Sequence, residues 1–316
     1  MFLGGTTWAF RWIPPYESAI DQISELGFKG VELTIWSDEA MQYYSDSKVT
    51  ELKQRIADKG MMLTGIFLGM SGTASAQPEN RELFIEQFKQ AVDIGNRLGS
   101  PKMIICGPTP FEMQFPKEMG RPNMETFELD VPTGMDFNQN YSDFIASIRK
   151  VADVCETMDH RLAFEPHPHR YMKNADSMLR ILEHVGSDRV GMNIDPSHLY
   201  PMGEMPDQVV HRMRGHIFGV HVSDNDGLTN AHWRPGKGKI DWNAFFRALK
   251  AVGYDENITI ELEDVPGAAG LPSSPAEPVD PLAKNPDSDP VLIAREYNLS
   301  AEYLRQVCKE EGITLL

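Results

Sequence analysis

Short apolar runs alternate with longer segments of helical period along the whole chain, and no other feature restricts the fold as much. The runs are FLGGTTW (2–8), GVELTI (30–35), MLTGIFL (62–68), KMIICG (102–107), RLAFEPH (161–167), VGMNID (190–195), IFGVHVSD (217–224) and NITIELED (257–264). Between them lie stretches such as ESAIDQISELG, KVTELKQRIADKG and RELFIEQFKQAVDIGNRLG, each ending in the glycine expected at a helix C-terminus. Strand and helix in strict alternation make a parallel sheet. Eight such units predict an α/β fold, a closed (β/α)8 TIM barrel formed as a single domain over residues 1–316. A doubly wound open sheet is the competing arrangement, but the first strand-to-helix turn carries no G-x-G-x-x-G.

Two long connections interrupt the rhythm. Residues 108–140 follow the fourth run, and residues 265–291, rich in Pro, Asp and Ser, follow the eighth and precede the last helix. Both fall on the C-terminal face of a barrel, where strand-to-helix loops build active sites. The first is expected to form a lid-like loop over a substrate, and the second to wrap the domain or make subunit contacts.

Composition removes several classes of partner. A formal net charge of −16 argues against nucleic acid, whose binding rests on Lys and Arg neutralising phosphates. Three scattered cysteines, Cys106, Cys155 and Cys308, fit a reducing compartment better than a disulfide framework or a thiolate zinc site. The start, MFLGGTTWAFRW, lacks a basic segment followed by an apolar one, and no run is long enough to span a bilayer. A cytoplasmic protein without membrane contact is expected.

The ends of runs five to eight read FEPHPHR, NIDPSH, HVSDND and IELED. Glu165, Asp195, His221 and Glu261 come from four consecutive strands and therefore converge above a closed barrel. Three carboxylates buried together repel one another unless a cation lies between them. This oxygen-rich set with one imidazole suits a single divalent ion, Mn²⁺ before Mg²⁺ or Co²⁺, with zinc also compatible. His167 is expected on the face of Glu165 by the two-residue strand period, where an imidazole beside a metal is a candidate general base. Glu32 and Glu263 share the inward parity; either could replace one of these ligands, and support for the ligands is the preferred reading. Trp8, Phe10 and Trp36, at the ends of the first two runs, offer aromatic faces to a sugar or to the core. HWRPGKG adds Trp233, Arg234 and Lys237 after the seventh run, a cationic loop suited to a carbonyl-bearing or anionic ligand. His169 reads as an exposed loop residue and His216 as structural.

On the strength of IELED, NIDPSH and PGKGKIDW (235–242), the sequence resembles the xylose-isomerase-like barrel family of sugar isomerases and epimerases over nearly its whole length. The resemblance implies the metal ligands Glu165, Asp195, His221 and Glu261, with Glu165 and Glu261 also acting as acid and base, and a substrate-binding role for His198. Ketose 3-epimerases of the family carry a second glutamate six residues after the strand-five ligand and an arginine six after the strand-seven histidine; here these positions hold Tyr171 and Gly227. Glu-Pro-His at 165–167 is similar instead to the catalytic subunit of bacterial C-glycoside deglycosidases, which cleave 3-keto sugars from an aglycone.

The expected function is therefore a metal-dependent carbohydrate enzyme that removes a proton next to a carbonyl through a metal-stabilised enediolate, with Glu165, Glu261 and His167 as acid–base groups and His198, Trp8, Trp36 and Arg234 binding substrate. Isomerisation or epimerisation is the first outcome. Elimination from a 3-keto glycoside by a carbon–carbon lyase is the alternative, and a non-catalytic sugar-binding protein is the rival of another class. A homo-oligomer, or a hetero-oligomer with a small subunit, is the expected assembly.

Overall fold

A computed structural model describes residues 1–113, 133–270 and 286–316. The eight runs form strands β1 (Phe2–Thr6), β2 (Gly30–Ile35), β3 (Met62–Leu68), β4 (Met103–Cys106), β5 (Leu162–Glu165), β6 (Val190–Ile194), β7 (Ile217–Val222) and β8 (Asn257–Ile260). They pair in sequence order, and β8 closes on β1, giving one closed parallel barrel. All C-terminal strand ends therefore lie on one rim. The register sets neighbours across it: Thr6 opposite Glu32, Cys106 opposite Glu165, and His221 opposite Thr259.

Several strands are shorter than their apolar runs. β5 stops at Glu165, before the X-Pro step at Pro166 that takes the chain out of the ladder. β8 stops at Ile260, so Glu261 and Glu263 lie just past it. β1 stops at Thr6, and Trp8 sits in the short 3-10 helix Thr7–Ala9. β6 stops at Ile194 because Asp195 caps the helix Pro196–Leu199, its Oδ1 accepting from the Ser197 N–H at 2.8 Å.

Side-chain alternation divides the apolar residues between two places. Val220 and Val222 face outward into the main core, which the strands share with helices such as Pro78–Leu98, whose left-handed C-terminal Gly99 has φ +87°. A smaller cluster of Trp8, Phe67, Ile104, Ala163 and Phe218 fills part of the barrel itself. The rest of the interior is polar, with Lys102, Asn193, Asn257 and Thr259 all buried. Lys102 Nζ donates to Asn257 Oδ1 at 3.2 Å. Gly219 makes room for this layer: a Cβ there would come within 2.2 Å of Asn193 Oδ1 and 2.9 Å of Lys102 Cε.

Residues 114–132 and 271–285 lie outside the described residues, and with them most of the expected lid and extension. The end of the second connection is tied back to the segment after β1, by Trp12 N–H on Pro286 O at 2.8 Å and Ser288 N–H on Phe10 O at 2.9 Å. Among the described residues no helix is long and apolar enough to cross a membrane.

The loop after β7 is organised by one buried carboxylate. Asp224 Oδ1 accepts from the backbone of Asn225 (2.9 Å) and Ile240 (3.2 Å), and Oδ2 from Gly236 N–H (2.8 Å) and Trp242 Nε1 (3.0 Å). The backbones of Asp224 and Trp233 bond reciprocally at 2.8 and 2.9 Å, which returns the chain to the rim at His232. The PGKGKIDW signature is thus a fold element. Asp224→Ala leaves three buried donors and one part-buried donor unpaired and is expected to lower the stability by at least about 2 kcal/mol in urea denaturation; a change below about 0.5 kcal/mol would show that the loop holds without it.

Candidate metal centre and active site

His221 stands at the centre of the rim. Its Nδ1 is 2.7 Å from Glu165 Oε1 and 2.9 Å from Glu261 Oε2, and its Nε2 is 3.0 Å from Glu32 Oε1. All four residues are buried. Glu165 Oε1 also accepts from Asn193 Nδ2 at 3.0 Å, and Glu261 Oε1 from Trp8 Nε1 at 3.1 Å. The second contact exists because β8 and β1 are neighbours in the closed barrel. Burial raises the pKa of both Glu165 and Glu261 despite the favourable charge of His221. Burial opposes the charge on His221, but Glu32, Glu165 and Glu261 outweigh it and hold its pKa well above the usual value. These donors fit a divalent cation: Glu165, His221 and Glu261 present one ligand atom each within 4.8 Å of one another, and Glu32 holds the far ring nitrogen as a carboxylate behind a metal-binding imidazole does.

Asp195 belongs to a second group, with His198 and His232. Asp195 Oδ2 lies 3.2 Å from His232 Nε2 and 3.7 Å from His198 Nε2, and the two imidazole nitrogens are 3.3 Å apart. Burial presses the pKa of His198 down to about 3. Burial also opposes the charge on His232, but Asp195 reverses the balance and brings it up to about 9.

His167 reaches the site by a route other than strand parity. It lies in the turn after β5, where its Nδ1 donates to the carbonyl of Glu165 at 3.0 Å. Its Nε2 therefore carries the lone pair, 3.4 Å from Cys106 Sγ, and its ring lies 3.6 Å from that of His198. Burial pushes the pKa well below the usual range, which keeps the imidazole neutral.

These groups open onto a cavity of about 360 Å³. Its lining combines the polar Glu165, His167, His198, His232 and Glu261 with the apolar Trp8, Trp12, Trp36, Phe67 and Met70. Trp12 and Trp36 stack at the rim, centroids 4.7 Å apart and planes at 12°, and Trp36 Nε1 donates to Trp12 O at 2.7 Å. Other candidates go elsewhere. Phe10 packs on Tyr297 in the main core, Arg234 is 3.3 Å from Glu296 Oε2 and away from the cavity lining, and Lys237 lies over the Trp233 ring. His216 precedes β7, its carbonyl accepting from Met192 N–H, and His169 occupies a left-handed turn at φ +65°. Tyr171 stacks on Phe144 and donates to Asn140 Oδ1 at 2.7 Å. Sequence reasoning passed over His232, although it opens the HWRPGKG loop on the C-terminal face, and over Trp12 and Arg170 in the lining.

The model of the xylose isomerase-like TIM barrel family matches residues 20–287, and the chain belongs to that family. It is 25% identical over 289 residues to YfiH, an uncharacterized protein of Bacillus subtilis, covering 79% of this chain and 89% of that protein. It is 22% identical over 259 residues to the fructoselysine 3-epimerase of Shigella flexneri, covering 78% and 85%. Among solved structures, the D-psicose 3-epimerase of Clostridium cellulolyticum H10 superposes with a TM-score of 0.74 at 19% identity over 97% of this chain and 99% of that one. The 3-keto-D-glucoside 4-epimerase of E. coli superposes with a TM-score of 0.70 at 18% identity, again over 97% and 99%.

Groups that hold protons at neutral pH must release them when a cation takes their place. The affinity for Mn²⁺ is therefore expected to rise with pH, on the order of tenfold per unit for each proton released. Calorimetric titration in buffers of different ionisation enthalpy counts those protons. An affinity flat from acidic to mildly alkaline pH would contradict the assignment of these groups as ligands.

Proposed function

We propose that this barrel is a divalent-metal-dependent carbohydrate enzyme that removes a proton next to a carbonyl and returns one at a neighbouring position, a reaction of the isomerase or epimerase kind. One observation carries the reading: the two carboxylates Glu165 and Glu261 flank the same imidazole nitrogen, at 2.7 and 2.9 Å, beside a cavity of sugar size. The epimerase names of the relatives agree with it. Glu165, His221 and Glu261 hold the ion, with Asp195 as the neighbouring fourth donor. A bound Mn²⁺, or Mg²⁺, Co²⁺ or Zn²⁺ in its place, supplies Lewis-acid withdrawal of charge from the carbonyl.

The chain's own groups do the rest. Burial raises the pKa of Glu165 and Glu261, and each also accepts from a neutral donor, Asn193 and Trp8 respectively. In this reading they serve as acid and base. His167, neutral and with Nε2 as the acceptor facing the Cys106 thiol, is a third group able to accept a proton. His198, Trp8 and Trp36 line the cavity where the sugar hydroxyls and ring face rest.

Elimination from 3-keto glycosides is the second reading. The stacked Trp12 and Trp36 in the cavity lining offer a flat apolar face suited to an aglycone, and Tyr171, held by Asn140 and Phe144, stands where 3-epimerases carry a glutamate.

Incubation with ketoses, inososes and 3-keto glycosides in D₂O tests both readings by NMR. Exchange of the α-proton without cleavage supports the first, and release of aglycone from the glycoside alone selects the second. No exchange with any of them would leave only sugar binding. His167→Ala is expected to lower turnover by about 10²-fold or more with metal content unchanged, whereas Glu261→Gln should lower both.

A further inference from the structure

We propose that the substrate has two sugar-sized units and that a groove beside the cavity, walled by helices Asp38–Gln42 and Pro78–Leu98, holds the second, an uncharged and hydroxyl-bearing one. This substrate class rests on the carbohydrate reading above and holds for either of its two reactions. The groove has a volume of about 430 Å³. Trp36, Met70, Ser71 and Glu112 line both the groove and the cavity of about 360 Å³, so the two spaces meet along those four residues. Sites for drug-sized ligands run from about 300 to 1,000 Å³, and each space alone lies near the bottom of that range. Joined, they suit a disaccharide better than a lone ketose.

The junction is firmly built. After β3 the chain runs along it as Gly69-Met70-Ser71-Gly72. A Cβ at Gly69 would stand 2.4 Å from Trp36 Cε3, and one at Gly72 would stand 2.8 Å from Phe84 Cβ and 3.0 Å from Asn80 O. Two glycines thus let the backbone press directly against the Trp36 ring at one end and the helix Pro78–Leu98 at the other. Hydrogen bonds tie the walls together. Gln87 Nε2 donates to both carboxylate oxygens of Asp38 at 2.9 Å, Asn80 Nδ2 donates to Ser75 Oγ at 3.2 Å, and Glu112 Oε1 accepts from the Ala74 N–H at 3.0 Å. A groove held in this way is pre-formed, and little ordering is needed to fill it.

Its chemistry selects the occupant. Trp36 supplies the flat apolar face on which a sugar ring rests, and serine, amide and carboxylate groups supply hydrogen-bond partners for hydroxyls. Asp38, Glu39 and Glu112 place three carboxylates in the groove, and among the described residues no Lys or Arg lines it. A phosphate or carboxylate on the second unit would therefore be repelled. Asp38 and Glu112 already accept from protein donors and Glu39 is exposed, so no buried carboxylate there calls for a cationic partner. The cavity beside the metal centre differs in having Arg170 in its lining, which leaves the groove as the place for a neutral unit.

Calorimetric titration of the full-length protein loaded with Mn²⁺ compares D-fructose with lactulose, and methyl 3-keto-β-glucoside with 3-ketocellobiose, one unit against two in each pair. The two-unit sugar is expected to bind tighter by about tenfold or more in at least one pair. Leu83→Trp, at an exposed position of the groove wall outside the cavity, should remove that gain and leave the one-unit sugar within about twofold of wild type. Asn80→Trp, at a second exposed wall position, replaces it should thermal melting show the first variant unfolded. A 6′-phosphate on 3-ketocellobiose should weaken binding by about threefold or more at low salt. Equal binding within both pairs, or a gain that survives both substitutions, overturns the inference, and undiminished binding of the phosphorylated sugar overturns the choice of an uncharged unit. Exchange of the α-proton in D₂O, followed in parallel, judges the reaction separately. Exchange without any gain from the second unit leaves the proposed function standing without this subsite, whereas a gain abolished by Leu83→Trp with no exchange keeps the subsite and overturns the proposed reaction.

Discussion

Four carboxylates, Glu32, Glu165, Asp195 and Glu261, are buried around the mouth of one barrel, none more than 4% exposed. Carboxylates taken out of water in such company repel one another strongly, and the cost is bearable only if positive charge is interleaved with them. His221 and His232 supply it in the chain itself, each touching carboxylates within 3.2 Å. Everything near the rim follows from that requirement: the neutral donors Asn193, Trp8 and Ser197 N–H orient oxygens without cancelling their charge.

The barrel makes this concentration of charge possible because its strands all run the same way and its sheet has no edge. Groups that are far apart in sequence meet at the rim, as Trp8 and Glu261 do across the closing pair of strands. Outward-facing neighbours such as Val220 and Val222 anchor the same strands in the apolar layer beneath the helices. Stability and chemistry are thereby assigned to alternate residues of one strand.

Much of this was legible in the sequence because strand placement depends on local apolar runs, and each of the eight runs became a strand. Glu165, His221 and Glu261 were readable for the same reason: each falls at or next to the end of a run. Run ends were less reliable than runs. His167 reaches the cavity through a turn and a bond to the Glu165 carbonyl, which alternation could not foresee. His232 was hidden because its position depends on Asp224 gathering donors from residues 225 to 242, a long-range arrangement with no periodic signature. Arg234 was drawn by its charge toward Glu296 on the last helix, a partner more than sixty residues away.

The absence of a side chain at Gly219 reaches further than its place below the site suggests. Asn193 occupies the space that a Cβ there would take, and Asn193 is the donor that orients Glu165. A methyl group at 219 would lie below the rim, yet it would push Asn193 aside and turn a carboxylate at the mouth. The interior of the barrel thus works as a gauge block: its dimensions set where the carboxylate oxygens above it stand, and drift in its volume would be felt first in their spacing.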